Sequence, residues 1–261
     1  MYVQLVRATL RGQAQYRLSF AIDVVGTSLA VTIDLLAVLV FFRVARSLGG
    51  FPVRQAFLMA SLAAFGFAMA DFVAGKVDRL RFNIRTGRLD AMLVRPLGVL
   101  PQLLAEDFAF RQVGRVAQAF AAYLIGLSYA HVAWNPGRVL LAVVAPLAGA
   151  VFFGAMFVAG GTVAFWWIES AEFANGFTYG GRDFTSYPLT VYSGLFRRLF
   201  GYSLGFAFVA YYPGLALLGR PDPLRGPVWL GWCSPVVALL AALAASAIWR
   251  FGVRHYRSTG S

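Results

Sequence analysis

From Val139 to Trp167 the chain runs without a single Asp, Glu, Lys or Arg. As a helix that stretch is longer than the roughly 30 Å hydrocarbon thickness of a bilayer, so it crosses with some tilt. Five more apolar stretches lie at about 20–42, 56–74, 116–132, 199–218 and 228–253, with Asp23, Asp34, Asp71 and Arg250 as their only charged residues. Only 13% of the chain is charged and 59% is hydrophobic, against about 25% charged for an ordinary globular domain. The expectation is an all-α polytopic membrane protein with six transmembrane helices, because an isolated lipid-exposed segment satisfies its own backbone only as a helix.

Six spans place both termini on one side, and basic residues identify that side as cytoplasmic. The loops after the first, third and fifth spans carry Arg43, Arg46, Arg54, Arg138, Arg220 and Arg225, six of the 23 Lys and Arg residues. The other seventeen fall with the termini and the intervening loops. This asymmetry also accounts for the net charge of +12, and nucleic acid is not an expected partner. Residues 1–19 place Val3, Val6, Leu10 and Ala14 on one side, with Arg7 and Arg11 on another, the pattern of an interfacial helix on the cytoplasmic leaflet. They contain no uninterrupted apolar core of a cleavable leader.

Several chemistries find no residues to carry them. The single lysine, Lys76, sits in Ala74-Gly75-Lys76-Val77, with valine where a phosphate-binding loop needs Ser or Thr and Ala70 where it needs its first glycine. Nucleotide-driven work therefore requires another chain. His131 and His255 are the only histidines and fall at opposite faces, so helical zinc ligation is absent. Cys233 is the only cysteine, which excludes an intramolecular disulfide.

Within the first span Asp23 and Asp34 are eleven residues apart, almost three helical turns, and share one face. Asp34 lies near mid-span, where a charge is costly unless it meets protein or water. Two readings stay open for it, a substrate or proton path and a paired or protonated structural carboxylate. Asp71 and Arg115, near the cytoplasmic ends of the second and third spans, are expected to pair. Gly201 and Gly205 form a GxxxG step in the fifth span, a pattern that lets helix backbones approach closely. Tyr211-Tyr212-Pro213-Gly214 then interrupts that span, and Pro221, Pro223, Pro227 and Pro235 follow, so a re-entrant or short-helix hairpin is expected near the outer face between about 213 and 235.

The segment Phe82–Asp107 is charged and yet keeps a helical rhythm, with Ile84, Leu89, Leu93, Leu97, Leu100, Leu103 and Leu104 as its apolar stripe. Thr86 and Gly87 open a short amphipathic helix over about 87–95, and Pro96 ends it. Residue chemistry leaves two uses open, a dock for a soluble partner and a solvated loop that enforces topology.

Gly87-Arg-Leu-Asp90-Ala-Met-Leu93-Val-Arg95-Pro96, following the second of six spans, resembles permeases of the ABC-2 type. More narrowly it is similar to the "ABC-2 family transporter protein" group of bacterial permeases, which carry a G-x-LD-x-x-L-x-RP segment there. Tyr187-Pro188 and Tyr211-Tyr212-Pro213 add to the likeness. The resemblance implies a single ABC-2 transmembrane domain over residues 1–261. Its parts are an interfacial helix (1–19), the first two spans (20–75), a cytoplasmic coupling loop (76–112), the next two spans (113–167), a cytoplasmic segment (168–198), and the fifth span, outer re-entrant helices and sixth span (199–253). It further implies a plasma-membrane exporter of amphiphilic, drug-like or lipid-like substrates that works by alternating access. Two cytosolic ABC ATPase subunits, which hold the ATP and Mg, would dock on Gly87, Arg88, Leu89, Asp90, Leu93, Arg95 and Pro96. A second copy or a related permease would complete the transporter, in contact with membrane lipid. This chain itself would bind no cofactor or metal and would catalyse no reaction. Asp34, Tyr211 and Tyr212 are the substrate-path candidates, and Gly201 and Gly205 the helix-packing candidates. The alternative is a proton-coupled secondary transporter that uses Asp34.

Overall fold

The computed structural model describes residues 47–105, 110–167 and 171–256, together with Val25, Gly26, Leu29 and Ile33. The expected interfacial helix, most of the first span, Asp23 and Asp34 lie outside the described residues. Among the described residues there are helices and no β-strand, apart from an isolated bridge between Leu48 and Phe51.

Two long apolar helices form the centre, α1 (Val53–Ala74) and α6 (Pro136–Thr162). They meet where Gly66 lies on Gly149, and a Cβ on Gly66 would come within 3.3 Å of the Gly149 backbone. The close approach lets Phe67 reach Phe153 edge-on at 5.1 Å and Phe157 at 5.7 Å. Asn135 caps α6 by accepting from the Arg138 amide at 2.8 Å, and Pro136 occupies the first turn, where a missing N–H costs nothing.

Among the described residues three helices are long and apolar enough to cross a membrane, Val53–Arg85 taken as one run, Pro136–Phe165 and Ser234–His255, and a bent pair could supply a fourth span. The third expected span is not among them. Its helix, α5 (Phe110–Tyr129), begins six residues earlier than expected and carries Arg111, Gln112, Arg115 and Gln118 in its first half. It nonetheless runs the length of α1. Gly126 packs on Leu58 and Ser61, Phe120 and Tyr123 pack on Phe65, and Arg115 pairs with Asp71 at 2.7 Å, as expected from the sequence.

The segment expected to lie in the cytoplasm, 168–198, differs most from the sequence reading. It contains α7 (Ala171–Thr185), which lies along both central helices. Ala174 and Thr178 pack at Gly160, Gly181 packs on Phe206, and the loop beyond brings Thr190 Oγ1 to donate to the Gly49 carbonyl at 2.7 Å. Thus α7 starts at the Thr162 end of α6, and its outgoing loop reaches the Gly49 end of α1. Its packed face is a stripe of Ala174, Thr178, Gly181 and Thr185 at helical spacing, all buried.

The expected span over 199–218, anticipated to break at Pro213-Gly214, is broken earlier. A short helix, α8 (Gly194–Phe196), runs into a π-helical stretch, Arg197–Ser203. The chain then bends by 65° before the helical turns of Phe206–Leu218. Gly205 makes the break with φ 87°, a conformation that favours glycine. Gly201 and Gly205 are therefore not two steps on one helix face. Tyr211-Tyr212-Pro213 starts α9 (Tyr211–Leu218) rather than breaking a helix, because a proline in the first turn removes an amide that has no intrahelical partner. The last helix, α10 (Ser234–His255), packs back along α6, with Gly252 against Thr162 and Phe165.

The Asp71–Arg115 pair makes an asymmetric prediction. The Asp71 side chain is 10% exposed and that of Arg115 36%, so an unpaired Arg115 reaches water and an unpaired Asp71 does not. Arg115→Ala is expected to lower the thermal unfolding midpoint of detergent-purified protein more than Asp71→Asn does, the larger effect being on the order of 2 kcal/mol. Equal losses would show that Asp71 does not depend on its partner.

Candidate functional site

The segment that the sequence singled out forms three short helices, α2 (Leu80–Arg85), α3 (Arg88–Leu93) and α4 (Val99–Ala105). A one-turn break separates α2 from α3. Thr86 donates its amide and its hydroxyl to the Phe82 carbonyl, and Gly87 donates to Ile84 while adopting φ 68°. That left-handed turn is the usual helix stop, and here it also re-aims the chain for α3. The helix lies inside the expected 87–95 interval and ends before Pro96.

Restarting the helix at Gly87 changes which residues face inward. Leu89 and Met92, three apart, are 1% and 7% exposed, whereas Leu93 is 42% and Leu97 45% exposed. The sequence stripe had continued the Leu89–Leu93 spacing of four, so it set Leu93 and Leu97 on one apolar face with Leu89 and left out Met92. Leu89 and Met92 enter a buried cluster with Val77, Leu80, Ile84, Leu103, Ala164 and Trp249. This one cluster joins α3 to the turn after α1, to the end of α6 and to α10.

The loop after α3 is held by Gln102, which sequence reasoning did not single out. Its amide nitrogen donates to the carbonyls of Met92 at 2.9 Å and Leu97 at 2.8 Å, and its oxygen accepts from Arg95 at 3.5 Å. One side chain thereby ties the C-terminal end of α3, the turn after Pro96 and the helix α4. The only sequence signal was a glutamine four residues after Gly98, which is not distinctive.

Of the seven expected docking residues, Arg88, Leu93, Arg95 and Pro96 are exposed, Leu89 is buried, Gly87 is the hinge and Asp90 is half-buried. Asp90 interacts with Tyr256, just past α10, whose ring packs on Phe165 at 5.8 Å. The exposed face presents Leu93, Val94 and Leu97, flanked by Arg88 and Arg95, and Val94 is 87% exposed. Arg88 lies over the Phe82 ring at 5.5 Å. An apolar ridge between guanidinium groups, on a short helix braced from behind, is a surface able to receive and transmit force.

The other candidates are dispersed. Tyr211 and Tyr212 are 4% and 3% exposed in the core. Tyr211 donates to Asp222, which also accepts from the amides of Leu224 and Gly226 and so orders the proline-rich loop. Tyr212 borders a cavity of about 430 Å³ shared with Arg138, Asp222 and Trp232. Arg220 lies over the Phe51 ring at 4.3 Å and donates to Gln55 and to the Gly50 carbonyl at 2.9 Å. Gly205 faces Val237 and Phe152, and Gly201 faces Leu189. Among the described residues no group of His, Cys, Asp and Glu is arranged to hold a metal ion. Arg182 of α7 was also missed, and it lies over the Phe67 ring at 5.4 Å, level with the middle of α1.

Gln102 offers a direct check on this geometry. Gln102→Ala leaves two carbonyls without their donor, at a cost of about 1–2 kcal/mol. Amide exchange across residues 92–102 is expected to accelerate roughly tenfold while α1 and α6 stay unchanged. Unaltered exchange would mean that the loop is held by something else.

No curated protein and no solved structure matches the chain significantly. A family model described as "ABC-2 family transporter protein" does, over residues 29–260. That match takes in all the long helices, the braced α3 segment and the broken stretch before α9, and the chain belongs to the ABC-2 family transporter proteins.

Proposed function

We propose that this chain is the membrane-spanning permease of an ABC exporter in the bacterial plasma membrane and that it moves an amphiphilic substrate by alternating access. Two cytosolic ATPase subunits drive it, one docked on the α3 surface of each of two permease copies, identical or related. ATP and Mg belong to those subunits. The observation that carries the reading is α3 itself, with Leu89 and Met92 fixed in a core shared with α6 and α10, and Leu93, Val94, Arg88 and Arg95 left outside.

In this reading six crossings are the first span, α1, α5, α6, α7 and α10. Giving α7 the fifth crossing is supported by its path from the Thr162 end of α6 toward the Gly49 loop. The bent segment Gly194–Leu218 then takes the re-entrant position expected farther along the chain. With Arg197 and Arg198 moved to the outer side and Arg182 inside the span, basic residues divide eight outside to fourteen inside. The positive-inside rule is still obeyed and both termini stay cytoplasmic. Arg182 is amphipathic enough to rest its guanidinium on an aromatic face within the span.

Closure of the ATPases would push α3, and the push would arrive at α6 through Ala164 and at α10 through Trp249. Alternating access follows if these helices tilt as bodies. The double variant Leu93→Asp, Val94→Asp alters only exposed positions, so membrane insertion is expected to be normal. Recovery of the ATPase with the purified permease is expected to fall at least tenfold, as for loss of a central apolar anchor of roughly 2 kcal/mol. Retention of the ATPase by this variant would remove α3 as the dock. Transport that persists without ATP and collapses with the proton gradient would favour the secondary-transporter alternative.

A further inference from the structure

A cavity of about 360 Å³ opens where the turn Gly75–Arg79, the end of α6 and the first half of α7 come together. Asp78, Arg81, Asn175 and Tyr179 supply its polar lining over a floor that includes Gly160 and Gly161. The floor is necessarily small. A Cβ at Gly161 would lie 2.6 Å from the Val77 side chain, and one at Gly160 would lie 3.3 Å from Ala174.

The charges in this cavity act on one another through space but form no direct pair. Asp78 is half-buried, and its hydrogen bond comes from the Tyr179 hydroxyl at 3.4 Å, near the limit for such a bond. Arg81 shares the cavity but forms no ion pair with Asp78 among the described residues. The nearby Asp71 is already held by Arg115 at 2.7 Å. A partly desolvated carboxylate with one long hydrogen bond gains most from a cation that carries several N–H donors. The exposed guanidinium of Arg81 suits a phosphate, which it can grip with two parallel bonds. One cavity therefore offers separated negative and positive poles to a ligand that carries both.

Its surroundings give its depth. Ala164 borders the cavity, and Trp166 and Trp167, immediately beyond, are 50% and 52% exposed. Exposed tryptophans at the end of an apolar helix mark the headgroup level of a membrane. Val73 and Phe82, before and after the turn, are exposed apolar side chains.

We propose that this cavity binds the headgroup of a zwitterionic amphiphile, with an ammonium on Asp78 and a phosphate on Arg81 and the acyl chain outside on the apolar surface. The proposal concerns binding alone and is independent of how ATPases dock on α3. Its test uses the full chain, purified in maltoside with any subunits that accompany it, and radiolabelled lysophosphatidylethanolamine below its micellar concentration. Two comparators separate the contributions: lysophosphatidylglycerol, which lacks the ammonium, and glycerophosphoethanolamine, which lacks the chain. The zwitterionic lysolipid is expected to bind about tenfold tighter than either comparator. Asp78→Asn should abolish the preference over lysophosphatidylglycerol by weakening lysophosphatidylethanolamine about tenfold and sparing lysophosphatidylglycerol, while Arg81→Gln weakens both lysolipids. Asn175→Phe, which fills the cavity and leaves both charges in place, should remove binding without shifting elution on size exclusion. Wild-type affinity in Asp78→Asn, or equal binding of the two lysolipids to the unaltered protein, would overturn the proposal. Equally tight binding of glycerophosphoethanolamine would do the same, because it would assign the site to a soluble solute.

Discussion

The contact of Gly66 with Gly149 sets the spacing on which every other described helix depends. In a bilayer, apolar surface gains little by leaving lipid for protein, so helices associate through close packing and hydrogen bonds. Two glycines facing each other allow α1 and α6 to approach until their aromatic side chains interlock. Phe67, Phe153 and Phe157 then form an edge-on and tilted aromatic cluster below the crossing, and α7 lays Tyr179 against it, 5.6 Å from Phe67 and 6.0 Å from Phe157. On the other side of the crossing Val209 packs over Gly149, which seats α9. A Cβ at Gly66 would press on the Gly149 backbone at 3.3 Å, whereas one at Gly149 would meet Val209 and Gly66 at ordinary contact distances, so the tighter constraint falls on Gly66.

The two long helices and the position of α3 were legible in the sequence because their signals are local. Uninterrupted apolar runs have few alternatives to a helix in a membrane protein, and Gly87 and Pro96 bracket α3 by backbone chemistry alone. The inward face of α3 was not legible, because the left-handed turn at Gly87 resets the helical phase and moves burial from Leu93 to Met92. The role of α7 was hidden for a different reason. Glu172, Arg182 and Asp183 made 168–187 look water-facing, whereas the informative pattern was the small-residue stripe Ala174, Thr178, Gly181 and Thr185. A packed helix needs one close-fitting face, and its charges can occupy the rest.

Gln102, Arg115 and Asp222 share a feature that periodicity does not reveal. Each links elements far apart in space or orientation through polar bonds whose partners are fixed only in the folded chain. Asp71 and Arg115 were foreseeable because both fall near the same expected membrane face. Gln102 was not, because its partners are main-chain carbonyls, which carry no sequence signature. The proline-rich stretch after α9 was read as part of a re-entrant or short-helix hairpin, and it is a loop ordered by Asp222 that leads into a short helix, Val228–Trp232, with Gly231 packed on Tyr212 and Ala216 of α9. The true break is at Gly205, where a positive φ follows a π-helical stretch.

These features place stiffness and compliance at different points. From α3 the buried cluster leads to Ala164 and Trp249, and so to α6 and α10, which pack against each other along their lengths. A displacement of α3 therefore acts on a rigid pair rather than on one helix. The segment Gly194–Leu218 is short-helical, π-wound and bent by 65°, and it touches that pair at Gly205, through Phe152 and Val237. A π-helical turn lacks the regular i to i−4 ladder and yields more readily than the α-helix around it. Movement of that pair against the bent segment would thus be taken up at Gly205 first, away from the end against which α3 packs. The polar cavity at Asp78 lies at the same end as α3, between the turn after α1 and the end of α6, so a shift of α6 changes its width directly. The braced α3, the cavity and the break all reach α6, and any coupling among them would pass through that helix.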